Sequence, residues 1–483
     1  MFHSMRRTPC FRLEMMARAL PVFRDMTRKI LVISLGIVVG LLSGCGGNAW
    51  DRDVGPGGHD GGTRDGGGDE DGGSDDYCET GGPFVEVGDE EEVVETCAGE
   101  VAERVFTNAI CSCTDINIAG YLETRSFDSH DDPSVRESGA PVSVNVTYTT
   151  GGYTDVGGTF TVAGERSVNF AGYVNAGGDL RFRGDLSAVG YLEVDRDAWL
   201  LGDVTVPGYV RIGRDLHQAP GRRLMAVVSV GGERVTESFT IDLPCRCGAG
   251  DVIDVGALVD AARRDNDNAR IGLDPAVLNN VMGIGIELEL DCGRFYLERI
   301  GGIGGITLRI TGHTAIFVGG DVDAVGALDV ELGPEGELDL FIAGNLVTIG
   351  AGSFGSTDRP AMSRVYVGGE GDVVLVGAAE FVGNVYAPRS RITAIGAAFV
   401  YGSLFGHLIE MPGALMVRYD RHILDVGEDC GEEDDPDTCD RCDNECPGNR
   451  ACVDNVCIDC RTDADCCEPL VCWPDGSCGP LMI

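Results

Sequence analysis

Between residues 172 and 218, residues able to bind a ligand recur at one interval. Asp179, Asp197 and Asp215 are eighteen apart, as are Asp185 and Asp203, and as are Tyr173, Tyr191 and Tyr209. Aligned carboxylates are the ligand type that calcium takes, and a line of tyrosines offers a sugar both ring surface and hydroxyls. Each set also has a plainer reading. Like charges about 5 Å apart in water repel by only ~0.8 kcal/mol, so a solvated acidic column needs no ion. Arg181, Arg183, Arg196 and Arg214 lie nearby, and the nonapeptide repeat of calcium-binding solenoids is absent. The plainer fate of the tyrosines, on an outward position, is packing beneath a neighbouring segment. No cofactor is called for, calcium being the one ion these columns suit.

A six-residue rhythm puts these residues in register. From Gly172 the chain reads GYVNAG, GDLRFR, GDLSAV, GYLEVD, RDAWLL, GDVTVP, GYVRIG and RDLHQA. The third position is always apolar (Val174, Leu180, Leu186, Leu192, Ala198, Val204, Val210, Leu216), and the fifth is apolar in all but the last hexad. Two inward residues flanking an outward one make a short strand. The second position cycles Tyr, Asp, Asp, so the true period is eighteen, three strands to a coil. This pattern predicts a mainly β fold, a parallel β-helix or solenoid with coils stacked about 4.8 Å apart. A lone coil is not stable, and its neighbours must complete its core.

The solenoid is expected in two blocks, residues 78–250 and 285–428. The second is built on G-[DN]-[VL]-x-x-[VI]-G-A, as GDVDAVGA from 320, GNLVTIGA from 344 and GDVVLVGA from 371, with a partial copy ending at Ala397. Residues 251–284 between them read as a short helical connection. There DVGALVDAARRDNDN is one predicted helix and LDPAVLNNVMG another, with Asp274 as N-cap and Pro275 at the first position.

The stretches GHTAIFVGGDV, ELDLFIAGN, FVGNVYAP, VYGSLFG and VRYDRHIL, with Tyr386-Ala387-Pro388 and Tyr419-Asp420 the most recognisable, resemble a β-helical domain of unknown function found in exported bacterial proteins. The resemblance covers about residues 285–425. Some members of that family are associated with pili or large surface proteins, and the family carries no established chemistry. The upstream Gly-Asp-Leu hexads are similar to the coils of bactofilins, which are cytoskeletal polymers.

The segment MTRKILVISLGIVVGLLSGC, residues 26–45, has Arg28 and Lys29 before an apolar run from Ile30 to Leu42. That run is shorter than the ~20 residues a spanning helix needs. Leu42-Ser43-Gly44-Cys45 resembles the bacterial lipobox. The resemblance implies residues 1–45 as a lipoprotein signal starting at Met26, cleavage before Cys45, and acyl chains on Cys45 that anchor the protein in the membrane. Gly46 in the next position resembles the pattern of lipoproteins sorted to the outer membrane, where the protein would face the periplasm or the cell surface. Residues 46–77 are mostly glycine and acid and read as a disordered, self-repelling linker. The formal charge of −41 argues against a nucleic-acid partner. The single lysine, Lys29, lies in the signal, which excludes lysine Schiff-base and P-loop chemistry from the mature chain.

Apart from Cys10 and Cys45, eighteen cysteines remain. Seven lie in the body (Cys78, Cys97, Cys111, Cys113, Cys245, Cys247, Cys292) and eleven at the C-terminal end (Cys430, Cys439, Cys442, Cys446, Cys452, Cys457, Cys460, Cys466, Cys467, Cys472, Cys478). In an exported protein this even total implies disulfides throughout, with Cys430 free to pair back to the body. Residues 429–483 are expected to form a small disulfide-rich module, and the run from Cys439 is distantly similar to the Dickkopf N-terminal type. Zinc is the competing use of Cys439-x-x-Cys442 and Cys457-x-x-Cys460, without a nearby histidine to complete it.

These readings converge on a non-enzymatic, lipid-anchored cell-envelope protein, a rigid structural or adhesive scaffold whose partners are the membrane, through its lipid, and glycans or other envelope proteins. The alternative is a β-helix enzyme, a lyase or hydrolase of acidic polysaccharides. It would need several carboxylates and a basic residue converging in a groove.

Overall fold

The computed structural model describes residues 84–426, except 90–91, 131, 137–138, 350–353, 377–379 and 395, together with the strands Ala451–Val453, Val456–Ile458, Leu470–Cys472 and Cys478–Pro480. The signal with Cys45, the linker, Cys78, Cys430 and most of the C-terminal cysteines lie outside the described residues.

The fold is a parallel β-solenoid. Both repeat blocks belong to one 33-stranded sheet. In the hexads each strand is three residues long, and partners are offset by eighteen: Val174 with Leu192, Leu180 with Ala198, Leu186 with Val204, Leu192 with Val210. The inward residues at the third and fifth positions, from Val174 to Leu216, are almost wholly buried. Strands of this length make few hydrogen bonds within a coil, so the ladders between coils and the shared apolar column hold each coil in place.

The spatial order of the coils differs from their order in the chain. The first coil comprises Ile110–Ser112, Asp115–Ile118 and Leu122–Asp128. On one side it pairs with the second coil, through Ile110 with Val142, Ile116 with Tyr148 and Leu122 with Thr154. On the other side it pairs with the last strands of the second block, through Ile110 with Leu404, Ile116 with Ile409 and Leu122 with Leu415. All these pairings are parallel. The chain therefore enters the solenoid in the middle and winds outward to the end formed by Leu224–Val230 and Arg234–Thr236. It re-enters at the opposite end with Val281–Leu290 and winds back to where it began.

Residues 237–280 make the return as a strap along the outside. Disulfides Cys111–Cys245 and Cys113–Cys247 fasten it beside the mid-stack junction. Cys97 and Cys292 are disulfide-bonded as well. Beyond the bridges, the Ile253 amide donates to the Tyr386 hydroxyl (3.1 Å). Helix Val255–Ala262, capped by Asp254 through its bond from the Ala257 amide, then lies on the strands Gly293–Leu297, His313–Val318 and Glu337–Ile342.

The first predicted helix of the connection is thus present and the second is not. Residues 275–280 form turns, and the short helix of this region is Asn268–Ile271. Asp274 does accept from the Ala276 amide. However, the carbonyls of Pro275 and Leu278 accept from Glu298 and Gly301 of the solenoid, so they are not available to continue a helix. In the C-terminal region, two antiparallel hairpins place Cys452 opposite Cys457 and Cys472 opposite Cys478.

Candidate functional site

The corners of the coils explain the Gly-Asp motif. The Asp197 amide donates to Asp179 Oδ1 (3.3 Å), the Asp215 amide to Asp197 Oδ1 (2.9 Å), and the Glu233 amide to Asp215 Oδ1 (2.8 Å). The second column behaves alike, with the Asp203 amide donating to Asp185 Oδ1 (2.8 Å) and the Arg223 amide to Asp203 Oδ1 (3.0 Å). Each carboxylate thus satisfies an N–H of the next coil, which would otherwise have no ladder partner at the bend. In the second block Asp321 and Asn345 do the same for Asn345 and Gly371, at 2.8 and 2.9 Å. A neutral amide serves as well as a carboxylate because only an acceptor oxygen is required. The adjoining glycine is required by close approach, since a Cβ at Gly202 or Gly208 would strike the carbonyl of Gly184 or Gly190 one coil away.

Arginines neutralise the buried members of the column. Arg214 binds Asp197 through Nη2 (2.6 Å) and Nε (3.2 Å), and Arg181 binds Asp179 (3.1 Å). Burial acts to raise the Asp197 carboxyl, but the Asp215 amide and the Arg214 guanidinium together hold it below the usual value. The Arg223 amide is the main cause of the low value at Asp203. Among the described residues no three His, Cys, Asp or Glu side chains are grouped so as to hold a metal ion.

The tyrosine column is longer than the hexads indicate. Five rings, Tyr121, Tyr153, Tyr173, Tyr191 and Tyr209, stack with centroids 4.5, 5.0, 4.9 and 5.0 Å apart and nearly parallel planes. Tyr121 and Tyr153 escape an eighteen-residue search because the strand Asp132–Arg136 is inserted after the first coil and the coil from Tyr153 to Tyr173 is two residues longer. The Gly-Tyr dipeptide at 120, 152, 172, 190 and 208 is the sequence signal that finds all five. The column is not packed under another segment: its inner rings are partly exposed and Tyr209 is 43% exposed.

Beside this rail runs a second outward column, Glu123, Asp155, Asn175, Glu193 and Arg211, in ladder register across the same strands. Its acids are paired: Glu123 with Arg418 (2.9 Å), Asp155 with Arg125 (2.8 Å) and Glu193 with Arg211 (4.0 Å). The Tyr209 hydroxyl donates to Glu193 Oε1 (3.0 Å). Tyr153 is pushed up to about 12, by burial first and then by the neighbouring Tyr121 and Glu123; Tyr173 is raised by burial and Tyr191, and Tyr209 by its bond to Glu193. These phenols therefore remain protonated donors at neutral pH.

Sequence reasoning missed a buried cluster. Arg364, 1% exposed, donates to both oxygens of Asp339 (2.6 Å each) and to Glu337, whose other oxygen lies 3.3 Å from His313 Nδ1. Asp339 and Arg364 occupy outward positions that are covered, so alternation along the strand gives no hint of their burial.

Residues 249–426 match the profile of a family described as a domain of unknown function (DUF7305). The match takes in the connecting helices as well as the second block. No curated protein and no solved structure matches the chain.

Proposed function

We propose that this protein is a non-enzymatic scaffold of the bacterial cell envelope, held at the outer membrane by a lipid on Cys45 and presenting a solenoid whose coils are locked against one another. The observation that carries the reading is the closed wiring of the stack, in which the first coil is clasped between the second and the last and the strap is fastened over the junction by two disulfides. Unwinding from either end of the chain meets a strand paired on both sides, which suits a load-bearing element. The corner aspartates support the non-enzymatic reading, because each already accepts from a backbone amide of the next coil, and Asp179, Asp197 and Asp203 are also paired with arginines. The disulfides fit an oxidising compartment. The similarity of the hexads to bactofilin coils and of the tail to Dickkopf-type modules belongs to the same proposal, as ways of building a rigid stack and a bridge-stabilised tip.

Membrane fractionation of cells making the full chain or its Cys45→Ala variant tests the assignment. The full chain is expected in the outer-membrane fraction and the variant in the soluble envelope fraction. A variant that stays membrane-bound would overturn the lipid anchor.

A further inference from the structure

The tyrosine rail has geometry that the scaffold role does not require. A corner position needs an acceptor or a glycine; at the two ends of the rail the Tyr121 hydroxyl donates to Met416 Sδ (3.4 Å) and the Tyr209 hydroxyl to Glu193, while those of Tyr173 and Tyr191, between them, make no hydrogen bond to the described residues. We propose that the five-tyrosine rail and the polar column beside it bind an extended, uncharged, β-linked polysaccharide lying along the solenoid axis. This rests on the scaffold reading and gives that scaffold its ligand.

Three observations define the ligand. The rings stack on one another at 4.5–5.0 Å, so the inner rings have both faces covered and cannot take a sugar face. What they present is a row of edges and hydroxyls, one per coil, and recognition is therefore by hydrogen bonds along a line. A glycan that follows such a line must be straight and must advance at a repeat near the coil rise of about 4.8 Å. Extended β-linked chains meet that condition, whereas coiled α-linked chains leave the line after a few sugars.

Charge sets the second condition. The acids of the flanking column are paired one by one with Arg418, Arg125 and Arg211, and its middle member, Asn175, is neutral. The surface has oxygen acceptors and guanidinium donors for hydroxyls without an excess of either sign, so it does not select a polyanion. The third condition is protonation. The phenols of Tyr153, Tyr173 and Tyr209, raised by burial and by neighbouring groups, stay protonated beyond the pH at which a free phenol ionises.

The test is co-sedimentation of the detergent-solubilised full chain with insoluble cellulose and chitin, alongside affinity electrophoresis in polygalacturonate. Retention by at least one neutral β-glycan, without retardation by the polyanion, is expected. The combined Tyr173→Phe, Tyr191→Phe and Tyr209→Phe variant keeps the ring stack and removes three hydroxyls. It is expected to bind at least about tenfold more weakly, the effect of one to a few lost hydrogen bonds, with its melting temperature lowered by no more than the loss of the single exposed Tyr209–Glu193 bond. Three results overturn the proposal: no retention by either neutral glycan, retardation by polygalacturonate alone, or undiminished binding by the triple variant. None of them bears on the envelope anchor, which the Cys45→Ala fractionation tests separately.

Discussion

Two aromatic columns run along this solenoid on outward positions, one at the corners before the strands and one within the strands, and their surroundings differ. In the second block Phe317, Phe341 and Tyr366 stack at 5.0 and 4.6 Å, and Tyr386 and Phe405 continue the line, all buried. Phe106 and the strap cover them, the strap through the Ile253–Tyr386 bond and helix Val255–Ala262. In the first block the rail from Tyr121 to Tyr209 has the same stacking distance and reaches solvent. Stacking is a consequence of the coil repeat and occurs on both. What decides whether a column serves as core or as surface is the segment laid across it, here a strap of residues remote in sequence.

The sharpest way to break this comparison is to truncate one ring in each column. Phe341→Ala should cost about 3–5 kcal/mol, as for a buried aromatic. Tyr191→Ala should cost no more than about 1.5 kcal/mol, the scale of an aromatic pair at a surface. Chemical denaturation measures both, and equal losses would contradict the assignment of one column as covered and the other as open.

Next in size is release of the strap. Replacing Cys111, Cys113, Cys245 and Cys247 by serine opens loops of 134 residues and should lower stability by about 2–4 kcal/mol. It should also increase binding of a hydrophobic dye to the second block, where the covered rings are, and leave the tyrosine rail unchanged. Dye binding that does not change would mean that the strap stays in place without its bridges.

A smaller effect is expected at the corners. Asp197→Ala leaves the Asp215 amide and Arg214 without their acceptor and should cost about 1–3 kcal/mol. Asp197→Asn keeps an acceptor oxygen and should cost less, in line with the natural use of Asn345 at the equivalent corner. Melting temperatures that rank the two variants the other way would show that charge, and not the acceptor, matters there.

The smallest effect is in the pH dependence. The carboxyls of Asp197 and Asp203 are held below their ordinary values in the folded protein, so their contribution is complete above the unfolded value near pH 4 and is lost as the pH falls through the folded values. Thermal melts from pH 7 down to pH 2.5 should be flat at first and then decline. The decline should be shallower in the Asp197→Asn, Asp203→Asn double variant, and an identical slope would remove the corner ladders from the account of acid sensitivity.

The sequence was most legible where the period was short. The hexads gave the inward residues from Val174 to Leu216, the coil repeat and the alignment of both side-chain columns, because each coil copies its neighbour. It was less legible where a column crosses coils of unequal length, which hid Tyr121 and Tyr153. The wiring was not legible at all: nothing near Ile110 or Leu404 signals that they pair, since parallel strands of this kind accept any neighbour with an apolar inward face. Nor did local sequence distinguish the turns at 275–280 from a helix, because their carbonyls are engaged by residues more than twenty positions downstream. The burial of Arg364 with Asp339 likewise depends on the cover above them and not on the strand that carries them.

The central claim is that the first coil rests on the last. Glu123 and Met416 are direct register partners across that junction, although 293 residues separate them. Full-length protein carrying Glu123→Cys and Met416→Cys, produced under oxidising conditions and mapped by peptide mass spectrometry, should contain a bond between positions 123 and 416 together with the native Cys111–Cys245 and Cys113–Cys247 bridges. Native bridges in place with no bond between 123 and 416 would contradict the closed order of the coils.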